Sequence, residues 1–165
     1  MLSVVIETDQ NSDALAATLA SLVGAAVEGV VREVIVCDAG ACNRTELVAD
    51  HAGCLYLQKS RASDGIMQAK SQWVLLLEPG ARLADGWMEG LVVLHGAGKQ
   101  AARFTCTRQS RPSWLERLRQ GRRPLREGLI IQKEEALLTG QEVAAEIARA
   151  TRTRRLDSEI IAAPR

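Results

Sequence analysis

Runs of continuously apolar residues alternate along the first half of the chain with segments whose apolar residues recur at helical spacing. The runs are short and rich in β-branched residues, which is typical of strands buried on both faces. They predict four strands, at residues 2–7, 33–37, 54–58 and 73–77. Helices are predicted between and after them, at residues 12–23, 45–52, 61–71 and 85–95. Because strands and helices alternate, we predict an α/β fold with a mainly parallel central sheet.

The alternation changes after residue 100. Further strands are predicted at residues 101–107, 128–132 and 158–162, and further helices at residues 133–139 and 142–149. Arginine dominates the segment 108–127 between them. No repeat or low-complexity linker marks a boundary, so we expect one domain over residues 1–165, with a change of role near residue 97.

Three predicted strand exits carry polar residues. In parallel α/β sheets, ligands bind at the carboxyl ends of the strands, which here are Glu7–Asn11, Asp38–Thr45 and Glu78–Arg82. Asp38 has two interpretations, since its carboxylate can accept hydrogen bonds from a ribose or a base, or can hold its own turn. The first exit lacks the glycines of a dinucleotide fingerprint, and the chain has no P-loop. A Rossmann-like oxidoreductase is therefore a low-ranked hypothesis.

The charge balance limits the classes of partner. The 165 residues carry a net charge of +1, which excludes a basic field over the whole molecule, and five aromatic residues offer no stacking platform. We therefore expect no nucleic-acid partner. The charge is nevertheless uneven, because residues 1–50 hold eight acids and two arginines, whereas residues 103–126 hold eight arginines and one glutamate. Such asymmetry indicates two halves with different roles.

The cysteines and the hydropathy pattern indicate the compartment. The four cysteines form no C-x-x-C pair and only two histidines accompany them, so no structural zinc site is expected. Cysteines in apolar runs indicate free thiols in a reducing compartment. No apolar run approaches the roughly 20 residues of a membrane span, and the first residues lack the pattern of a signal peptide. We expect a cytoplasmic protein.

Four segments together resemble a family 2 glycosyltransferase of the GT-A fold. They are LSVVIET (2–8), DALAATLASL (13–22), REVIVCDAGACNRT (32–45) and WVLLLEPGARL (73–83). The likeness covers roughly residues 2–95 and extends loosely to Gly128–Lys133. It implies a Rossmann-like, three-layer α/β/α GT-A-like fold, with a nucleotide-binding half at 1–97 and an acceptor-side half at 98–165. The activity it implies is transfer of a sugar from a nucleotide-sugar donor to an acceptor that the sequence does not name.

The resemblance also implies roles for individual residues. Thr8, Asp38 and Arg61 would bind the nucleotide-sugar, Glu78 would assist the diphosphate through a divalent metal, and Glu127 is the candidate catalytic base. In the family, an Asp-x-Asp motif holds the metal, because charge developing on the leaving diphosphate needs a cation. Hard oxygen ligands suit magnesium or manganese.

The chain departs from the family at chemical positions. Glu78-Pro79-Gly80 stands in place of Asp-x-Asp, Asn43 replaces the second aspartate of the Asp38 turn, and Arg126 occupies the position of the base. Two compensations are available. Arginines of the segment 103–126 can pair with a diphosphate in place of a metal, and Glu127 can act as the base after a shift of one residue.

The arginine-rich segment supports three hypotheses. Trp114, Leu115 and Leu118 share one helical face, surrounded by arginines. Residues 111–126 can be a basic amphipathic helix lying on an anionic membrane surface, which would make the protein peripheral at the inner face of a membrane. They can instead be a lid that closes over a diphosphate, or a solvated loop whose tryptophan fills the core.

The leading hypothesis is a family 2-like glycosyltransferase, either active or degenerate. The alternative is a non-catalytic GT-A-derived module for protein or membrane-surface association. Only about 80 residues follow Gly80, so we expect an acceptor site that is shallow or shared with another subunit of an oligomer.

Overall fold

A sheet of eight strands organises the chain, which the computed structural model describes over residues 1–91, 100–108 and 123–164. In chain order the strands are β1 (Leu2–Thr8), β2 (Val31–Asp38), β3 (Leu55–Gln58), β4 (Trp73–Leu77), β5 (Arg82–Leu83), β6 (Ala102–Cys106), β7 (Leu129–Gln132) and β8 (Arg154–Ile161). The helices are α1 (Ser12–Val27), α2 (Asn43–His51), α3 (Ala62–Gln68), α4 (Lys133–Leu138) and α5 (Ala144–Ala150). Residues 89–91 are also helical.

The sheet is mixed, which corrects the prediction of a mainly parallel sheet. The strand order is β3-β2-β1-β4-β7-β6-β8-β5. The first four of these strands are parallel, as predicted. β7 is antiparallel to both β4 and β6, β8 is parallel to β6, and β5 is antiparallel to β8. The prediction was right for β1 to β4, whose parallel pairing needs the crossover helices between them. It was wrong for β5 and β7, which are antiparallel to their neighbours.

Helices cover both faces of the sheet and make three layers. On one face, α1 contributes Leu15, Leu19 and Leu22 to a core that also contains residues of β1, β2 and β4. On the other face, α3 contributes Ile66 and α5 contributes Ile147. The central strands are buried on both sides, and this is why their sequences are continuously apolar rather than alternating. No helix among the described residues is long and apolar enough to cross a membrane.

Several elements differ from their predicted bounds. α3 ends at Gln68, because Ala69 turns to extended backbone with φ −57° and ψ 131°. Residues 85–88 form turns, and the rest of the predicted helix 85–95 lies outside the described residues beyond residue 91. β8 begins at residue 154, four residues before its predicted start. Its polar side chains alternate with the buried Leu156 and Ile160, so a search for continuous apolar runs finds only its end.

Gly65 brings α3 unusually close to the sheet. A Cβ atom added at this position would lie 2.6 Å from Cys37 Sγ and 2.9 Å from Val5 Cγ1. Both contacts are shorter than real Cβ atoms make, so a side chain here forces the helix and the sheet apart. The absence of a side chain at residue 65 therefore sets how α3 approaches the carboxyl ends of β1 and β2.

We predict that Gly65→Ala lowers the free energy of unfolding by about 1–3 kcal/mol, because overpacking outweighs the gain in helix propensity. Urea denaturation measures the change. Gly24→Ala is the matched control, since Gly24 is an exposed residue of α1 and a Cβ added there meets no heavy atom of the described residues within 4 Å. The control should be stabilised by about 0.5–1 kcal/mol. Equal stability of Gly65→Ala and the wild type would contradict this packing.

Candidate functional site

The carboxyl ends of three parallel strands meet along one edge of the sheet. The register pairs Thr8 of β1 with Asp38 of β2, and Ile6 of β1 with Leu77 of β4. Glu78 directly follows β4, so it lies beside the end of β1. Adjacent strands are about 4.8 Å apart, so the backbones of Asp38 and Glu78 lie about 10 Å apart, on either side of β1. The structure therefore brings together the strand exits that carry three of the predicted site residues.

Backbone strain is concentrated at this edge. Gln10, Ala41 and Lys59 have positive φ angles of 57°, 54° and 49°, and one of them follows each of β1, β2 and β3. A left-handed conformation costs a non-glycine residue roughly 1–2 kcal/mol. Strain of this kind collects at ligand sites, where the surrounding structure holds it in place. Its presence at three neighbouring strand exits marks this edge as the candidate site.

Asp38 is fully buried and organises the loop that follows β2. Its Oδ1 accepts a hydrogen bond from the Gly40 amide at 3.0 Å, and its Oδ2 accepts one from the Cys42 amide at 2.8 Å. The Tyr56 hydroxyl donates a third, at 2.9 Å to Oδ2. The carboxylate thus fixes residues 39–42, as expected for an aspartate that holds its own turn. Sequence reasoning missed Tyr56, although β3 pairs with β2 and carries Tyr56 beside Val36.

The loops after β1 and β2 touch each other. A Cβ atom added at Gly40 would lie 2.8 Å from both Asp9 Oδ1 and Gln10 Cγ, so a side chain at position 40 would require these two side chains to move. Thr8 is buried, and its hydroxyl has no hydrogen-bond partner within the described part of the chain. A buried hydroxyl without a partner is costly, and a bound ligand can satisfy it.

Arg61 is tied to the end of β1. Its Nη1 donates to Glu7 Oε1 at 3.2 Å, and the other carboxylate oxygen of Glu7 accepts from the Ala144 amide at 2.8 Å. Sequence reasoning gave Glu7 no individual role. Glu7 joins β1, the start of α3 and the start of α5. Half of the Arg61 side chain remains exposed, so the guanidinium borders solvent at the site.

Glu78 forms an ion pair with Arg123, a residue that is distant from it in sequence. Its Oε2 lies 3.3 Å from Arg123 Nη2, and only 16% of its side chain is exposed. Burial raises the pKa of Glu78, while the positive charges of Arg123 and Arg126 oppose that rise. Glu78 therefore lies in a locally positive environment.

A side chain at residue 80, a second carboxylate included, would be strained by the backbone and tightly packed. The φ of Gly80 is +92°, its amide donates to Thr18 Oγ1 at 2.8 Å, and an added Cβ would lie 3.1 Å from Pro164 Cδ and 3.3 Å from Ala163 Cβ. The described residues contain no group of three or more His, Cys, Asp or Glu side chains that could hold a metal ion. This donor set does not fit the two-carboxylate metal site that the resemblance implies, and Glu78 is the one carboxylate retained at the motif.

Glu127 lies near the same edge but in a separate ion pair. Glu127 belongs to the turn that immediately precedes β7, and β7 begins beside the end of β4, where Leu129 pairs with Leu76. Glu127 Oε1 accepts a hydrogen bond from Arg155 Nη2 at 3.0 Å. About a quarter of the Glu127 side chain is exposed, at 28%.

The predicted membrane contact falls largely outside the described residues. Residues 109–122 of the segment 111–126 are not described. Its last part, from Arg123 to Arg126, turns next to the end of β4, where Arg123 contacts Glu78. The structure therefore leaves the three hypotheses for the arginine-rich segment as predictions.

Scans against protein-family models and curated proteins give no match. Solved structures do match. Glucosyl-3-phosphoglycerate synthase from Mycobacterium tuberculosis, in complex with Mn²⁺, UDP and glucosyl-3-phosphoglycerate, is 16% identical with a TM-score of 0.68, over 100% of this chain and 72% of that one. A mannosyltransferase from Pyrobaculum calidifontis, in complex with GDP-Man and Mn²⁺, is 14% identical with a TM-score of 0.70, over 98% and 56%.

A third match is mannosyl-3-phosphoglycerate synthase from Rubrobacter xylanophilus, 12% identical with a TM-score of 0.66, over 100% of this chain and 67% of that one. At these identities the likeness shows the fold alone. The chain thus has the mixed α/β, GT-A-like fold of nucleotide-sugar glycosyltransferases.

We predict that the Tyr56 phenol resists ionisation well above the ordinary tyrosine pKa of about 10. Burial raises the pKa of Tyr56 most, and the hydrogen bond to the Asp38 carboxylate raises it further. Above pH 10 the folded state then holds more protons than the unfolded state. Stability from this group is therefore complete below about pH 10 and is lost as the pH rises through the folded-state pKa.

Tyr56 is the one tyrosine of the chain, so phenolate absorbance against pH reports it alone. In Asp38→Asn the phenol loses its charged acceptor, and the pKa of Tyr56 should fall toward 10, the ordinary value. A reversible wild-type titration near that ordinary value would show that the hydrogen bond is absent in solution.

Proposed function

We propose that this chain is a family 2-like glycosyltransferase that binds a nucleotide-sugar donor along the edge from Asp38 to Glu78 and transfers its sugar to an acceptor. The observation that carries the proposal is the alignment of the ends of β2, β1 and β4 at one strained edge of a GT-A-like sheet. The structural neighbours, crystallised with UDP or GDP-Man, support the donor class.

In this proposal the nucleoside lies at the Asp38 end of the edge. Asp38 is fully buried and accepts three internal hydrogen bonds, so it acts by holding the loop 39–42 that receives the nucleoside. The unpartnered hydroxyl of Thr8 and the half-exposed guanidinium of Arg61 supply a hydrogen-bonding group and a positive charge beside it. The donor's diphosphate then points along the edge toward Glu78.

Glu127 is the proposed catalytic base. The acceptor hydroxyl attacks the anomeric carbon of the sugar, the bond from that carbon to the diphosphate oxygen breaks, and the hydroxyl proton passes to the Glu127 carboxylate. Glu127 is partly exposed, so an acceptor from solvent can approach it, and the turn that carries it precedes β7, the strand next to β4. Its partner Arg155 orients the carboxylate.

The alternative is a non-catalytic module that keeps the fold for protein or membrane-surface association. Gly80, Asn43 and Arg126 motivate it, since each replaces a chemical group of the family. No observation on the described residues favours it over donor binding. A chain of this kind would bind no donor, so the titration below separates the two.

We predict that isothermal titration with UDP- and GDP-sugars gives a measurable heat for at least one donor. Thr8→Val keeps the shape of the side chain and removes the hydroxyl, so it should weaken that donor about tenfold, as expected for one lost hydrogen bond of about 1.4 kcal/mol. The thermal stability of the variant should not fall, because a buried unpartnered hydroxyl is removed. Absence of heat with every donor, with and without Mn²⁺, would refute the proposal.

We further predict that Glu127→Gln lowers the rate of sugar transfer about 10²–10⁴-fold, because the amide cannot take a proton, and leaves donor affinity unchanged. The rate is measured as release of the nucleoside diphosphate in the presence of acceptor. Glu134→Gln, on the exposed surface of α4, is the control and should leave the rate unchanged. Full activity of Glu127→Gln would remove Glu127 from the reaction.

A further inference from the structure

Arginine side chains of the protein lie at the edge of the sheet where the donor's phosphates would bind. Arg123 pairs with Glu78, and Arg126 is close enough for its charge to act on the same carboxylate. One guanidinium group thus contacts the Glu78 carboxylate, and the charge of a second acts on it from further away. The local excess is positive, and it belongs to the protein rather than to a bound metal.

The Arg123 side chain is placed to exchange partners. It is 39% exposed, whereas its carboxylate partner is 16% exposed. Glu78 Oε2 is buried and makes no directed hydrogen bond in the described structure, although Arg123 lies 3.3 Å away. A charge contact without hydrogen-bond geometry is weaker than a bidentate guanidinium–phosphate pair.

The conformation and packing of residue 80 disfavour the usual alternative, a metal held by two carboxylates. A metal held by two carboxylates would need a side chain at position 80, where Ala163 and Pro164 leave no space even for a Cβ atom at ordinary contact distance. One carboxylate already paired with arginine is a poor replacement for such a site.

We propose that Arg123, supported by Arg126, replaces a divalent metal as the counter-charge for the diphosphate of the donor. Until the diphosphate binds, Glu78 forms an ion pair with the Arg123 guanidinium, and the diphosphate displaces Glu78 from it. The inference rests on the proposed function and specifies how that site recognises its ligand. Guanidinium groups suit this role because their planar fork matches two phosphate oxygens at once.

The two possible roles of Glu78 predict opposite effects of one substitution. If Glu78 holds a metal on the diphosphate, Glu78→Gln weakens nucleotide binding. If Glu78 competes with the diphosphate for Arg123, Glu78→Gln removes the competitor and strengthens binding. The side chains are almost identical in shape, so the sign of the change reports the charge alone.

The experiment is isothermal titration of UDP and GDP into the full chain, once in EDTA and once in Mn²⁺. We expect the same Kd within about twofold in both buffers, and binding about two- to fivefold tighter in Glu78→Gln, the range for one exchanged ion pair. Arg123→Gln should bind about tenfold more weakly, with Arg123→Lys in between because it keeps the charge and loses the fork.

Two control variants change the same charges elsewhere. Glu28→Gln lies beyond the far end of α1, and Arg149→Gln is exposed on α5. Both should bind as the wild type does. Circular dichroism of each variant checks folding, and if Arg123→Gln fails to fold, the EDTA comparison and the sign of the Glu78→Gln effect still decide.

Two results would overturn the inference. Binding that requires Mn²⁺ and is weakened in Glu78→Gln would assign Glu78 to a metal, and would leave the proposed function intact. Absence of binding by UDP, GDP and their sugars in both buffers would refute the proposed function and this inference with it.

Discussion

The position of β1 between β2 and β4 is the constraint on which the candidate site depends. β1 is buried on both faces and hydrogen-bonded along both edges to parallel neighbours. Parallel pairing brings the carboxyl ends of all three strands to one edge, and the crossover helices return the chain to the other. The register then decides which residues are level there, so Thr8 lies beside Asp38 and Glu78 lies beside Glu7. A slip of one residue would exchange the faces on which these side chains lie.

Four carboxylates near this edge, those of Asp38, Glu7, Glu78 and Glu127, each have a partner within the protein. Asp38 accepts hydrogen bonds from two backbone amides and from the Tyr56 phenol. Glu7 accepts hydrogen bonds from Arg61 and from a backbone amide. Glu78 forms an ion pair with Arg123, and Glu127 forms one with Arg155. Pairing is required because an isolated buried charge is costly, while the pairs themselves add little net stability. Ligand binding at this edge therefore means exchange of partners. Asp38, with three hydrogen bonds and no exposure, is the least exchangeable, and the ion pairs with exposed arginines are the most.

The sequence reveals this architecture unevenly, for physical reasons. β1, β2 and β4 could be predicted because burial on both faces demands an apolar residue at every position, and Asp38 and Glu78 could be placed because they end such runs. β6 and β7 were predicted from runs at 101–107 and 128–132, whereas β8 carries its signal in alternation and β5 is two residues long. A run does not specify whether its strand is parallel or antiparallel to its neighbours, so the mixed order of this half was not predictable. The partners were also hidden. Tyr56, Ala144 and Arg123 are distant in sequence from Asp38, Glu7 and Glu78, and only the folded topology brings them together.

The end of β4 shows why its motif cannot be read as a weakened copy of Asp-x-Asp. Gly80 satisfies three conditions at once: a left-handed backbone, an amide that bonds to the buried Thr18 hydroxyl, and close contact with Ala163 and Pro164. An aspartate at position 80 would strain the backbone, and Ala163 and Pro164 would have to shift by a few tenths of an ångström to make room for it. Loss of that carboxylate is thus part of the packing between α1, the β4 turn and residues 162–164. A countercharge at this edge then has to come from side chains that reach it from elsewhere in the sequence, and Arg123 and Arg126 reach it because β7 runs antiparallel to β4 and brings the preceding turn to the same level.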